Sequence, residues 1–219
     1  MSVSFVNAAG AGNASLGTTL TIAKPSGVVD GDVLVCGIVV HSGTAPSTLS
    51  GWTPIQSTAF GASTIATFYK VASSEGASYA WTTPNVVSAG IIAAYRGANP
   101  LGPLDTSQQA ANLANTTITG NGITTANNNE QVIWFGANDG DAVATTFAVP
   151  SAMTSRLQQG SGSGTNYTIC VGDATLAVAG FTGSTLTNGS QTHSIANAVN
   201  NLALIPGAIA GSQMFFGSV

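Results

Sequence analysis

Residues 31–43, GDVLVCGIVVHSG, form a near-continuous apolar run that follows a Gly-Val-Val-Asp-Gly turn. Its length, its β-branched side chains and the flanking turn residues make it a central strand buried on both faces. The rest of the chain repeats the theme. Strand-like stretches stand at 3–7 (VSFVN), 18–23 (TTLTIA), 51–60 (GWTPIQSTAF), 63–73 (STIATFYKVAS), 77–82 (ASYAWT) and 88–98 (SAGIIAAYRGA). Gly61 and Ala62 suggest a tight hairpin between two of them. After a loop bracketed by Pro100 and Pro103 come 115–120 (NTTITG), 130–139 (EQVIWFGAND), 152–159 (AMTSRLQQ), 166–178 (NYTICVGDATLAV) and 197–207 (NAVNNLALIPG). No apolar repeat at helical spacing, with caps, extends over about ten residues. The expectation is an all-β chain, an antiparallel β-sandwich in a single domain.

Charge narrows what such a sandwich can do. Among 219 residues only four are basic and eight acidic, 5% in all, against roughly 25% in an ordinary soluble domain. Yet 44% of the residues are hydrophobic, so the chain has the apolar mass for a sizeable core. A net charge of −4 and four scattered cations exclude the phosphate-neutralising surface that nucleic acid requires. A surface of hydroxyls, amides and glycine does little to keep copies apart, which favours coverage by neighbouring subunits. No run approaches the roughly 18 apolar residues of a membrane span. The opening MSVSFVNAAG has neither the basic segment nor the apolar core of a signal peptide. Synthesis in a cytoplasm, with no membrane partner, is the expectation.

The residues that carry chemistry are few and dispersed. Cys36 and Cys170 lie in apolar strands and read as small buried residues. A disulfide between them would be out of place in a reducing compartment, and no second Cys or His stands at metal-ligand spacing. His41 and His193 read as isolated loop or strand-end residues. Asp30 with Asp32, and Asp139 with Asp141, sit in turns; Glu75, Asp105, Glu130 and Asp173 are isolated. A calcium site at Asn138-Asp139-Gly140-Asp141 lacks EF-hand spacing. No Gly-x-Ser-x-Gly elbow occurs, and GSGSG at 160–164 lacks the lysine and helix of a phosphate loop. The expectation is no enzyme, no cofactor and no metal. Trp52, Trp81, Trp134 and Tyr167 could together form a stacking platform for sugars. Trp81 and Trp134 suit the core better, which leaves Trp52, at a strand start beside Pro54, as the carbohydrate contact to examine.

A weak internal echo runs through the chain. GDVLVCGIVVHSGTA…GWTPI…STIATFYKVAS can be laid beside NEQVIWFGANDGDAV…AMTSRLQQGSGSGTNYTICVGDAT. Two Greek keys folded on each other, the jelly-roll layout, would produce such an echo. The order GDVLVCGIVV, GWTPI, FYKVASSEGASYAWT, AGIIAAYRGANPLGPLD and a closing LALIPG resembles a β-sandwich domain common in bacteriophage structural proteins and bacterial surface proteins. The resemblance covers residues 18–206. It implies a jelly-roll-like sandwich that serves as a capsid decoration or cement protein, a tail appendage or an adhesive module. The division it suggests is an N-terminal strand or arm at 1–17, the sandwich at 18–206 and an apolar C-terminal arm at 207–219.

Two further features bear on function. Arg96 follows AGIIAAY where the strand leaves the sheet, a place for a guanidinium to cap loop carbonyls while Tyr95 anchors the strand. Beyond LALIPG the chain continues with Met214, Phe215 and Phe216, three large apolar residues between Gly211 and Gly217. They read as a docking knot for another subunit. The expected function is a non-enzymatic virion structural protein that binds the major capsid protein and stabilises the shell, self-associating with a trimer favoured. The alternative is a phage tail appendage, receptor-binding or carbohydrate-binding module.

Overall fold

A computed structural model describes residues 2–143, 145–162 and 164–207. Eleven strands and one 3-10 turn (Ser184–Leu186) follow in order: β1 Ser4–Ala23, β2 Val33–Val40, β3 Thr53–Phe60, β4 Ser63–Val71, β5 Ser78–Arg96, β6 Leu104–Ile118, β7 Glu130–Asn138, β8 Phe147–Ala148, β9 Thr154–Gly160, β10 Thr168–Leu176 and β11 Gly189–Leu204. No described helix is long and apolar enough to cross a membrane. All strand pairs are antiparallel. One sheet has the order β1-β5-β2-β4-β3 and the other β6-β11-β7-β10-β9, with β8 added beside β11. The molecule is an all-β sandwich.

The connectivity is not that of a jelly roll. In a jelly roll successive strands cross between the two sheets. Here residues 4–96 build one sheet and residues 104–204 the other. The two sheets nevertheless share one plan. Replacing β1, β2, β3, β4 and β5 by β6, β7, β9, β10 and β11 converts the first strand order into the second. The sequence echo therefore marks the repetition of one sheet, and it pairs β2 with β7, β3 with β9 and β4 with β10.

Three apolar layers hold the sandwich together. Val33, Val35, Ile91, Ile133, Phe135, Ile169, Val171 and Leu202 fill the space between the sheets. Leu34, Cys36, Ile38, Phe68, Trp81 and Ile92 form a second core on the outer face of the first sheet. Val132, Trp134, Phe147, Cys170, Leu186 and Val199 form a third on the outer face of the second. Every residue of β2 and β7 is buried, because each of these strands is covered on both faces. A continuous apolar run is the sequence counterpart of that position.

The outer cover of the first sheet comes from its own long strands. β1 and β5 pair from Ser4↔Arg96 to Ala23↔Ser78, with register shifts around Asn13, Gly17 and Thr19. Bulges of this kind bend a ribbon and increase its twist. Pro84 falls in the gap of the pairing between Val86 and Thr82, so it removes no ladder hydrogen bond. The consequence is visible at Gly90, whose register partner is Ala11. A Cβ on Gly90 would lie 2.8 Å from Ile22 Cδ1 and 3.0 Å from Leu20 Cδ2, so the far end of the ribbon has doubled back over its own beginning. Stretches 3–7 and 18–23, expected as two strands, are one, and so are 77–82 and 88–98; the boundary expected at residue 17 falls inside β1. Gly90→Val should lower stability by about 1–3 kcal/mol through overpacking, with Gly90→Ala milder, because only side-chain ends would need to move. Urea midpoints of the two variants check this. A valine variant as stable as the parent would contradict the folded-back ribbon.

The second sheet holds two stretches that sequence reading missed. β6 begins at Leu104, in what was expected to be loop, and the first half of β11, residues 189–196, was expected to be irregular. β6 is polar and largely exposed, and residues 189–196 are mostly polar whatever their burial, so neither stretch carries an apolar alternation. The edges of the sheets meet in pairs, β1 against β9 and β3 against β6. At the first of these seams a Cβ on Gly12 would collide with the Gly160 carbonyl.

Candidate functional site

Strand pairing gathers the charged residues at one end of the sandwich, where β2 and β7 begin. Of the twelve, only Asp139 and Asp141 belong to the opposite end. Each of the four cations finds an acceptor within the chain. Arg96 Nε donates to Asp32 Oδ1 at 2.9 Å, and Arg96 Nη2 donates to Asp32 Oδ2 at 2.8 Å and to the Gly27 carbonyl at 2.9 Å. The Gly27 carbonyl belongs to the loop between β1 and β2. The carboxylate partner, 64 residues away in sequence, is new. Hydrogen bonding to Asp32 pushes the guanidinium pKa further up.

Lys70 Nζ lies 2.8 Å from Glu75 Oε1 and 2.9 Å from Oε2, and Lys24 Nζ donates to the Glu75 carbonyl at 3.4 Å. Tyr79 OH also donates to Glu75 Oε2. Burial pushes the Glu75 carboxyl up, but Lys70, the Ser73 N–H and Tyr79 outweigh it, so the carboxyl sits below its ordinary value. Such a group contributes stability above its unfolded pKa, about 4.3, and loses it as pH falls through the lowered folded value. Glu75→Gln should therefore flatten the decline of stability below about pH 5, measured by urea unfolding across pH. An equally steep acid decline in the variant would contradict the assignment.

The third cluster lies beside a groove. Tyr95 OH, fully buried between the sheets, donates to Asp173 Oδ2 at 2.9 Å. Burial, then the Asp173 carboxylate, raise the phenol pKa well above its ordinary value. Asp173 is also buried. Arg156 Nε donates to both its oxygens, at 2.9 and 3.0 Å, and Arg156 Nη2 reaches Oδ1 at 2.8 Å. The guanidinium lies over the Phe5 ring, 4.4 Å from its centroid, a cation–π contact. Tyr95 thus anchors its strand by bonding across the sandwich to β10. A groove of about 560 Å³ opens here, lined by Ser4, Phe5, Gln131, Thr154, Arg156, Asp173 and Thr175. Its polar lining is hydroxyl, amide and the internally paired Arg156 and Asp173, beside apolar Val3, Phe5, Ala152 and Ala174, with Gln131 Oε1 accepting from Thr175.

The aromatic candidates turn inward. Trp52 is only 6% exposed; its ring meets Tyr79 at 5.3 Å and Trp81 at 5.2 Å, both edge to face. The expectation of a partly exposed Trp52 is corrected: residues Ala45 and Leu49 pack with it in the outer core, so no ring face is open for a sugar. Trp81 and Trp134 are fully buried, and Tyr167 is 3% exposed, edge-on to His41 at 4.7 Å. His193 lies inside β11, its Nδ1 3.0 Å from Asp141 Oδ2. Asp139 accepts from the Ala62 N–H at 2.9 Å. Cys36 and Cys170 are free, buried on opposite outer faces. Burial raises both thiol pKa values, that of Cys170 to about 12, so neither is a ready nucleophile at neutral pH.

Among the described residues no group of three or more His, Cys, Asp and Glu side chains could hold a metal ion. Met214, Phe215 and Phe216 lie outside the described residues. The last described residue, Gly207, donates to the Gly97 carbonyl at 2.7 Å, at the charged end. Comparison with protein-family models, with curated proteins and with solved structures finds no match to this chain.

Proposed function

We propose that this chain is a non-enzymatic bacteriophage virion protein, a capsid decoration that binds the major capsid protein and itself, with a trimer favoured. It is made in the host cytoplasm and works on the particle. The observation that carries this reading is the treatment of charge. All four cations are engaged by acceptors within the chain, so the described exterior has little free positive charge and presents mostly hydroxyls, amides and small residues, with scattered exposed apolar side chains such as Leu101, Leu113 and Phe181. Such a surface does little to oppose close packing against copies or against a shell. It offers nothing to a nucleic acid backbone. Met214, Phe215 and Phe216 supply the apolar anchors of the docking arm in this reading.

The test uses particles that lack the protein. The full chain should co-sediment with them and should sediment as a trimer when free at micromolar concentration. Deleting residues 208–219 should leave the melting temperature unchanged and abolish incorporation. A free monomer that ignores particles would defeat the proposal. A truncated chain that melts lower yet binds normally would defeat the docking arm. A second reading, a glycan-binding tail appendage, is favoured by the polar groove beside Arg156. Glycan-array binding lost on Arg156→Ala, with no affinity for capsids, would select it.

A further inference from the structure

The repeated sheet places two equivalent turns at the charged end, and they differ in one charge. Val29-Asp30-Gly31-Asp32 leads into β2, and Asn127-Asn128-Asn129-Glu130 leads into β7. The third residue of each has a positive φ, 88° at Gly31 and 62° at Asn129. Its N–H reaches the residue just past the matching neighbour strand: Gly31 donates to Ala72 at 2.8 Å, and Asn129 to Ala177 at 3.3 Å. The fourth residue accepts from the first, Asp32 Oδ2 from Val29 N at 2.9 Å and Glu130 Oε1 from Asn127 N at 2.8 Å. Asp32 and Glu130 are therefore the same position in two copies of one design, 2% and 0% exposed.

Their counterions differ. Val33 pairs with Tyr95, and the next residue, Arg96, neutralises Asp32. Gln131 pairs with Leu204, and the next residue is Ile205. No arginine stands where the first half has one. Among the described residues neither Glu130 nor Asp105 takes part in an ion pair. Glu130 Oε1 is occupied by the Asn127 N–H and side-chain amide, both at 2.8 Å. Glu130 Oε2 is buried and receives no N–H or hydroxyl donor. What faces it is a second carboxyl, Asp105, whose Oδ2 accepts from Ala126 N at 2.8 Å. An unpartnered buried carboxylate oxygen facing another carboxylate is costly unless positive charge is supplied.

We propose that Asp105 and Glu130 bind a hard divalent cation, calcium by preference, which occupies the role that Arg96 fills in the other half of the sandwich. The charged donors are both carboxylates, Asp105 and Glu130; the Asn127 side chain turns its N–H toward Glu130 Oε1 and the Asn128 amide oxygen accepts from Ala179 N, so water would complete the coordination. Neither histidine nor cysteine contributes, which separates this set from the zinc class. Two carboxylates completed by water suit calcium's flexible coordination better than the strict octahedron of magnesium. Burial chiefly pushes the Glu130 carboxyl above its ordinary value; the Asn127 hydrogen bonds pull it down, and the neighbouring Asp105 carboxyl adds a smaller upward push.

The test is thermal unfolding of the full chain at pH 7 after EDTA treatment, then with calcium chloride or magnesium chloride. Calcium at about 100 times its dissociation constant should raise the midpoint by about 5–10 °C, and magnesium by less. Asp105→Asn and Glu130→Gln should each remove the response while keeping a β circular-dichroism spectrum. Ile205→Arg restores the missing guanidinium; it should stabilise the metal-free protein and also abolish the calcium response. The alternative is a proton shared by the two carboxyls. A raised carboxyl pKa adds stability at low pH and loses it as pH rises through the folded value. A metal-insensitive chain whose midpoint falls on going from pH 5 to pH 8, with Glu130→Gln levelling the slope, would overturn the cation site. A calcium response that survives both carboxylate substitutions would place the ion elsewhere and overturn it equally.

Discussion

Asp173→Ala is expected to cost about 3–5 kcal/mol in urea or thermal unfolding, the range for removing one partner of a buried ion pair. The reason is the number of donors that converge on one buried carboxylate. Tyr95 OH, Arg156 Nε and Arg156 Nη2 all end there. Removing the carboxylate leaves the phenol without an acceptor between the sheets and the guanidinium over Phe5 without a counterion. The penalty is mostly that of stranded partners, so it depends on what remains. Asp173→Asn keeps an oxygen acceptor and should cost less. Asp173→Ala combined with Arg156→Met should also cost less than Asp173→Ala alone, because the second change removes the stranded charge. A single alanine variant within about 1 kcal/mol of the parent would show that the cluster is energetically a surface pair.

The fold was legible where burial is two-sided. β2, β4, β7 and β10 run through the sandwich with apolar cover, and their sequences announce it. β6 and the first half of β11 were not legible, since a polar exposed strand such as SQQAANLAN leaves no periodic trace. The echo between the halves was visible, but its meaning was not. Strand patterns record which residues are covered, and they do not record which neighbour a strand takes. A repeated sheet and two interleaved Greek keys therefore look alike until the pairing is known. The charged clusters were hidden for a related reason. Arg96 meets Asp32 because antiparallel pairing sets the end of β5 beside the start of β2, and Tyr95 meets Asp173 because the two sheets pack face to face. The sequence places the acids near Arg96 far along the chain, so an isolated arginine was expected and an ion pair found. Trp52 was misjudged through Pro54. A strand start beside proline suggests an edge, yet the 44–52 loop folds over the outer face and carries the indole inward.

The two central tryptophans offer a test of how those outer cores are built. Trp81 and Trp134 are both fully buried, so alanine at either should cost about 3–5 kcal/mol. Phenylalanine should separate them. Trp134 Nε1 donates to the Thr187 carbonyl at 3.0 Å, and the ring lies against the α-carbons of Gly136 and Gly189. Trp134→Phe removes the donor, and the Thr187 carbonyl loses its side-chain partner in the covering loop, a penalty of about 1–3 kcal/mol beyond the lost packing. Trp81 Nε1 is buried without any hydrogen-bond partner; the ring is held by Trp52 at 5.2 Å and Phe68 at 4.6 Å. Trp81→Phe therefore discards an unsatisfied donor along with some ring volume, and the two effects oppose one another. The expected order is a clearly larger loss for Trp134→Phe than for Trp81→Phe, read from urea midpoints at constant m-value. Equal losses would mean that ring volume alone sets the cost, and that the tie from the third core to the 183–188 loop contributes nothing to holding that loop in place.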